Sequence, residues 1–380
     1  MDYAKYDDIR PYSDAEAVAA FSRIGRNPSL PAISKYLFPQ NGFWYLSQQI
    51  RACQSVDEFQ KGVIAKVVEA IVDNSSYGFS YSGTEHLKGL EGKKFLVISN
   101  HRDIVLDPAL IDYMFYKEGK ELLDLCIGNN LIDNGFINDL MRSNRMVIVH
   151  RGISSKELYE SSLHLSGYIR DVITSGNSSV WVAQKQGRAK DGIDRTSPTI
   201  LKMLSLSGSG DFVEDFDALT IVPMCLSYEY ESCDYLKTRE LFLSMGGEYV
   251  KRRGEDTRSI LSGIRQQKGG IHLEICKPIS REELAVIAQK PHNERYNALS
   301  ALIDSRIRPA YKLWKTNYIA ADLLAGNRAH QGSIYDSLDL ASFEDYTRLR
   351  LGKIGRRLDK HRDALRDIFR HIYANPLSNR

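Results

Sequence analysis

The chain has 380 residues, 43% of them apolar and 26% charged, the proportions of an ordinary globular protein with one or two domains and room for a large core. Its 51 basic and 48 acidic residues leave a net charge of +3; this near-balance argues against a dedicated nucleic-acid binder, which usually carries a strongly basic domain, so no nucleic-acid partner is expected. The five cysteines, Cys53, Cys126, Cys225, Cys233 and Cys276, are widely spaced with no Cys-x-x-Cys pair, and suggest buried free thiols in a reducing compartment rather than a disulfide framework or a zinc knuckle.

The N-terminal stretch MDYAKYDDIRPYSDAEAVAAF has no basic region followed by an apolar one, and no apolar run approaches the ~18 residues needed to span a bilayer. The expectation is a cytoplasmic, soluble protein, or at most one attached to the inner face of a membrane. Residues 1 to about 80 read as helical. Ser13-Asp14-Ala15-Glu16 opens one helix with a cap signal. The clearest helix is predicted over 56–74, where Phe59, Val63, Val67 and Ile71 repeat at steps of four with Ile64 and Val68 beside them, giving one wide packing face. From about residue 84 short β-branched runs alternate with helical patterns. Strands are predicted at 94–99, 122–128, 146–150, 179–183 and 219–228, and helices at 107–119, 134–144 and 155–176. Residues 255–276 continue with a helix, a Gly-Gly turn and a strand. Such alternation predicts an α/β protein with a mixed, largely parallel sheet flanked by helices. A small helical domain is expected at 1–80, an α/β domain at 81–335 and a basic C-terminal helix at 336–380. Within the last, 345–373 reads as one helix. It carries nine Lys/Arg and three Asp between Tyr346 and Arg370, and an apolar stripe of Leu351, Ile354, Leu358, Leu365, Ile368 and Phe369. It reads either as a terminal helix docked on the core or as a surface helix that meets anionic lipid headgroups.

In an open α/β sheet ligands bind beyond the carboxyl ends of the strands. Beyond 94–99 stand Asn100, His101, Arg102 and Asp103. Beyond 146–150 stand His150 and Arg151, and beyond 179–183 runs QKQGRAKDG (184–192). After LTIV comes Pro223. Arg102, Arg151, Lys185, Arg188 and Lys190 at successive strand ends suit a phosphate. His101 with an Asp a few residues on suits a base and its orienting carboxylate, or a structural hydrogen bond. Asp107-Pro108 also fits a helix start, Asp as N-cap and Pro at the first position.

Those residues resemble the glycerolipid acyltransferases, which share an Asn-His-x-x-x-x-Asp motif, and most closely the soluble, chloroplast-type glycerol-3-phosphate acyltransferases. SNH…DPA (99–109), IGNNL…LMRSNRMVIVHRG (127–152), VWVAQKQGRAKDG (180–192) and IVPM (221–224) are similar to four family blocks, in family order. The resemblance implies that family's fold and the transfer of a fatty acyl group from an acyl thioester, acyl-CoA or acyl carrier protein, to the sn-1 hydroxyl of glycerol-3-phosphate. His101 would be the general base, Asp107 its orienting partner, and His150, Arg151, Arg188 and Lys190 the phosphate ligands. Asn100, Arg102, Asp103, Gln186, Gly187 and Pro223 would support them. Neither a metal nor a cofactor is implied. Lysophosphatidate or another lipid acceptor is the alternative, and a non-catalytic membrane-surface protein is a third. Two departures stand out. Five residues, Arg102 to Leu106, separate His101 from Asp107 where the family usually has four, which makes Asp103 a competitor for the pairing. Gln186 stands where many relatives have Glu, a feature shared with the chloroplast type.

Overall fold

Seven strands form one sheet in the order β1-β7-β6-β2-β5-β3-β4. In chain order they are β1 Gly78–Ser82, β2 Leu96–Ser99, β3 Asp124–Gly128, β4 Met146–Val149, β5 Val180–Ala183, β6 Ile221–Tyr228 and β7 Gly270–Ile275. The computed structural model describes residues 3–132, 135–152, 154–252 and 254–378. Asn134, the first residue of the predicted 134–144 helix, lies outside the described residues, as do Met1, Asp2, Asp133, Ile153, Arg253, Asn379 and Arg380.

Every neighbouring pair of strands is parallel except β6 and β7. The sheet is therefore mixed and largely parallel, as expected, and the carboxyl ends of β2, β3, β4, β5 and β6 share one edge. Helices cover both faces. Tyr168, Ile169 and Val172 of the Ser155–Thr174 helix join Leu96, Ile98 and Val180 in one core layer. Leu110, Ile111 and Met114 of the Leu106–Lys117 helix join Val97, Trp181 and Val222 in the other. A strand with both faces buried reads as a continuous apolar run, which is why β2 through β6 are visible in the sequence. Among the described residues no helix is long and apolar enough to cross a membrane.

Four features differ from expectation. β1 has no strand pattern in the sequence; it is an edge strand whose residues alternate between exposed and half-buried. The predicted 56–74 helix is interrupted by a π turn at Gln60–Ile64, which inserts a residue into the helical ladder. Pro223 does not stand at a strand end: it lies opposite Ile98 inside β6, which runs to Tyr228 as the predicted 219–228 strand does. The basic C-terminal segment is not one helix. Ser337–Leu351 and Arg362–Ser378 are α-helices separated by the 3-10 turn Arg356–His361, and the chain breaks at Gly355, whose φ of +106° only glycine adopts readily.

The two C-terminal helices fold back on the domain. Leu351, Leu365, Phe369 and Tyr373 are buried in a cluster of their own. Its polar anchor is Asp234, fully buried, whose carboxylate accepts from Tyr346 Oη (2.7 Å), Tyr373 Oη (2.9 Å) and Arg350 Nε (2.7 Å). Asp234→Ala strands a buried guanidinium and two hydroxyls, so a loss of about 3–5 kcal/mol is expected in chemical denaturation. A second buried carboxyl, Asp112, accepts from the Leu123 N–H at 2.9 Å, and burial pushes its pKa up to about 7 from 3.8. The unfolded chain loses this proton first, so stability falls as pH rises from 3.8 to about 7. Asp112→Asn is expected to remove that fall, raising stability above neutrality by up to about 4 kcal/mol. Denaturation midpoints of both proteins below and above neutrality check this.

Candidate active site

β2 ends in a short loop whose backbone is gathered by one carboxylate. Asp107 is the second residue of the Leu106–Lys117 helix and its side chain is wholly buried. Oδ2 accepts from the backbone N–H of Arg102, from that of Asp103 (2.8 Å) and faces His101 Nδ1 at 2.8 Å. Oδ1 accepts from Tyr228 Oη at 2.7 Å. A buried carboxylate needs donors on both oxygens, and here it finds four. The five residues between His101 and Asp107 fit because the loop turns inside this hydrogen-bond set.

Asp103 does not compete for His101. It is buried, and its Oδ1 accepts from the N–H groups of Val105 (2.9 Å) and Leu106 (2.8 Å). Its Oδ2 accepts from Ser232 Oγ. Burial alone would raise its pKa, yet the Leu106 N–H, Ser232 and Val105 hold it below the usual value. Asp103 thus binds the N–H groups at the start of the helix, whose N-cap position is Val105 rather than the expected Asp107. His101 sits edge-on to Trp181 with ring centroids 5.9 Å apart, and its imidazole is 13% exposed. With Nδ1 on Asp107, Nε2 has no hydrogen-bond partner among the described residues. That arrangement holds a base with its proton-accepting nitrogen free.

The positive groups divide. Arg102 is not part of an open patch: it is fully buried, with Nε and Nη2 on Asp194 (3.0 and 2.7 Å), Nη1 on Glu231 (3.2 Å), Nη2 also donating to the Gly192 carbonyl (3.0 Å), and Tyr311 beneath the guanidinium. Lys237 completes the cluster, donating to Glu231 and to the Arg102 carbonyl. Lys190 is paired with Glu240, and His150 faces Asp8 at 4.0 Å. Lys185 is half-buried, which lowers its pKa. Asn100 is a tie between strands: Leu226 N–H donates to its Oδ1 (2.7 Å) and its Nδ2 donates to the Leu226 carbonyl (2.9 Å). Gln186 is exposed and Gly187 takes the positive φ (+76°) of the turn.

Arg151 and Arg188 behave otherwise. Arg188 Nη1 is buried with no hydrogen-bond partner among the described residues. Arg151 lies against Gly128, where an added Cβ would come within 2.9 Å of its Cζ. Burial lowers its pKa and Asp256 opposes that. Asp256 also senses Arg188, so one carboxylate lies within electrostatic reach of both arginines. Both guanidinium groups belong to segments that follow strands at the carboxyl edge, and one of them keeps a buried unmatched donor. Asp194, Glu231 and Lys237, which keep Arg102 inside, carried no signal in the sequence; Asp256 and Tyr228 carried none either.

Residues 78–227 match the family model described as Acyltransferase. No curated protein matches the chain. Among solved structures, the crystal structure of the 1-acyl-sn-glycerophosphate (LPA) acyltransferase of Thermotoga maritima is similar with a TM-score of 0.41 and 12% identity, over 76% of this chain and 92% of that one.

The geometry predicts that Asp107→Asn lowers kcat by about 10³–10⁴, because an amide no longer fixes the imidazole tautomer. Asp103→Asn is expected to keep kcat and cost about 1–3 kcal/mol of stability, through loss of charge on the buried cap. Steady-state kinetics and denaturation of the two variants separate the roles.

Proposed function

We propose that the chain, whose residues 78–227 match the family model described as Acyltransferase, moves a fatty acyl group from a thioester to the sn-1 hydroxyl of glycerol-3-phosphate. The observation that carries the reading is the pairing of His101 with Asp107 at the same sheet edge as the unmatched Arg188 donor. A base with a free Nε2 and an oxyanion receptor together suit an acceptor that bears both a hydroxyl and a phosphate.

The substrate phosphate sits on Arg188 and Arg151, which places the sn-1 hydroxyl at His101 Nε2. His101 takes the hydroxyl proton as the oxygen attacks the thioester carbonyl. The imidazolium is stabilised by the Asp107 carboxylate. Collapse of the tetrahedral intermediate breaks the C–S bond, and the thiolate leaves with the proton that His101 returns. The transfer is direct, with no acyl-enzyme. Coenzyme A and acyl carrier protein present the same phosphopantetheine thioester, so either serves as donor.

Thiol release from palmitoyl-coenzyme A is the test. Release is expected to depend on glycerol-3-phosphate and to vanish in His101→Ala. Arg188→Ala is expected to raise KM for glycerol-3-phosphate about tenfold or more while sparing that of the donor. Release with lysophosphatidate but not glycerol-3-phosphate would keep the chemistry and replace the acceptor. Release with neither acceptor and with neither donor would overturn the enzymatic reading.

A further inference from the structure

Between the two C-terminal helices lies a cavity of about 250 Å³ walled by Arg348, Arg362, Arg366 and Arg370. Arg362, Arg366 and Arg370 recur every four residues along one face of the Arg362–Ser378 helix, and Arg348 reaches across from the Ser337–Leu351 helix. Leu351 contributes apolar wall, and among the described residues Glu344 is the one acidic residue in the lining. The opposite face of the Arg362–Ser378 helix is spent on packing, through Leu365, Phe369, Ile372 and Tyr373. Docking the helix therefore does not require the arginines, and like charges four residues apart weaken a helix.

Each arginine has a carboxylate three residues before it on its own stretch of chain. Arg348 meets Asp345 at 3.0 Å, Arg362 meets Asp359 at 2.8 Å, Arg366 meets Asp363 at 3.1 Å and Arg370 is 4.0 Å from Asp367. None of these aspartates lines the cavity, and all are exposed. Such pairs are weak and screened by salt, so they leave the guanidinium forks available to a stronger acceptor. Arg370 is the deepest of the four, 17% exposed; burial first, and then Arg366, lower its pKa. A converging set of forks with too little negative charge inside is matched by a phosphate, which takes two hydrogen bonds from each fork.

We propose that this cavity binds the phosphate group of a phosphate ester, with the attached carbon against Leu351. The site is separate from the Arg151–Arg188 receptor and does not rest on the acyl-transfer reading. It is linked to that receptor through the fold: the same helix seats the loop that carries Arg188. Asn375 Nδ2 donates to the Asp191 carbonyl at 2.7 Å, and at Gly192 a Cβ would come within 2.2 Å of the Ile372 carbonyl oxygen.

The phosphate has two sources, a lipid headgroup or a free ester, and one experiment distinguishes them. The full chain, Arg362→Gln/Arg366→Gln and Asp363→Asn are each titrated with inorganic phosphate and with phosphatidylcholine vesicles with and without phosphatidate. The double variant is expected to bind about tenfold or more weakly. Asp363→Asn, which frees Arg366 from its carboxylate, is expected to bind a few-fold more tightly, an effect misfolding would not produce. These changes on phosphatidate vesicles assign a lipid headgroup; on inorganic phosphate alone they assign a soluble ester. Wild-type binding of both probes by both variants would overturn the proposal. If the double variant does not fold, Asp363→Asn decides: tighter binding supports the site and unchanged binding overturns it.

Discussion

The Asp107 carboxylate is the constraint from which the site is built. It is buried, it is the second residue of a helix, and it draws together the imidazole of His101, two backbone N–H groups and the Tyr228 hydroxyl. Removing any one of these leaves a polar group without a partner in a place water does not reach. The loop Arg102–Leu106 therefore has little freedom: its start is closed onto Asp107 and its end is capped by Asp103. Tyr228 extends that constraint to the end of β6, so β6 and the loop after β2 are fixed to each other.

A second layer supports the first. Arg102 points away from the edge into a cluster with Asp194, Glu231 and Lys237. Its partners hold the guanidinium in its charged form against the cost of burial. Asp194 belongs to the segment after β5 and Glu231 to the segment after β6, so the cluster ties three strand ends together beneath the site. The backbone N–H of Glu231 donates to Tyr373 Oη at 3.0 Å, and Tyr373 also donates to Asp234. In this way the C-terminal helices are bonded to the ground under His101. Buried charge sets of this kind are costly to break from one side.

The layer order of the molecule was legible because parallel strands buried on both faces are largely apolar, as in Leu96–Ile98 and Val180–Ala183. β1 was not, since Gly78, Ser80 and Ser82 give an edge strand no hydrophobic signal. The predicted 219–228 strand already ran through Pro223, as β6 does; only its reading as a strand end, where proline often stands, was wrong. The break at Gly355 stood in the sequence but was overridden by the regular spacing of charges around it. At the site, His101 and both aspartates were visible, and the spacing left Asp103 open; the hydrogen bonds decide for Asp107. The sequence displayed the cations at the strand ends but not their directions. Whether Arg102 and Lys190 face a ligand or a carboxylate depends on Asp194, Glu231 and Glu240, which come together only in the fold.

Asp107 holds His101 with its proton on Nδ1 and Nε2 free to accept. Nitrogen-15 NMR of imidazole-labelled protein reads this directly, with His101→Gln assigning the resonance. At a pH where the ring is neutral, His101 is expected as the Nδ1–H tautomer in the native chain, and Asp107→Asn is expected to shift it toward Nε2–H. A native His101 in the Nε2–H form would contradict it.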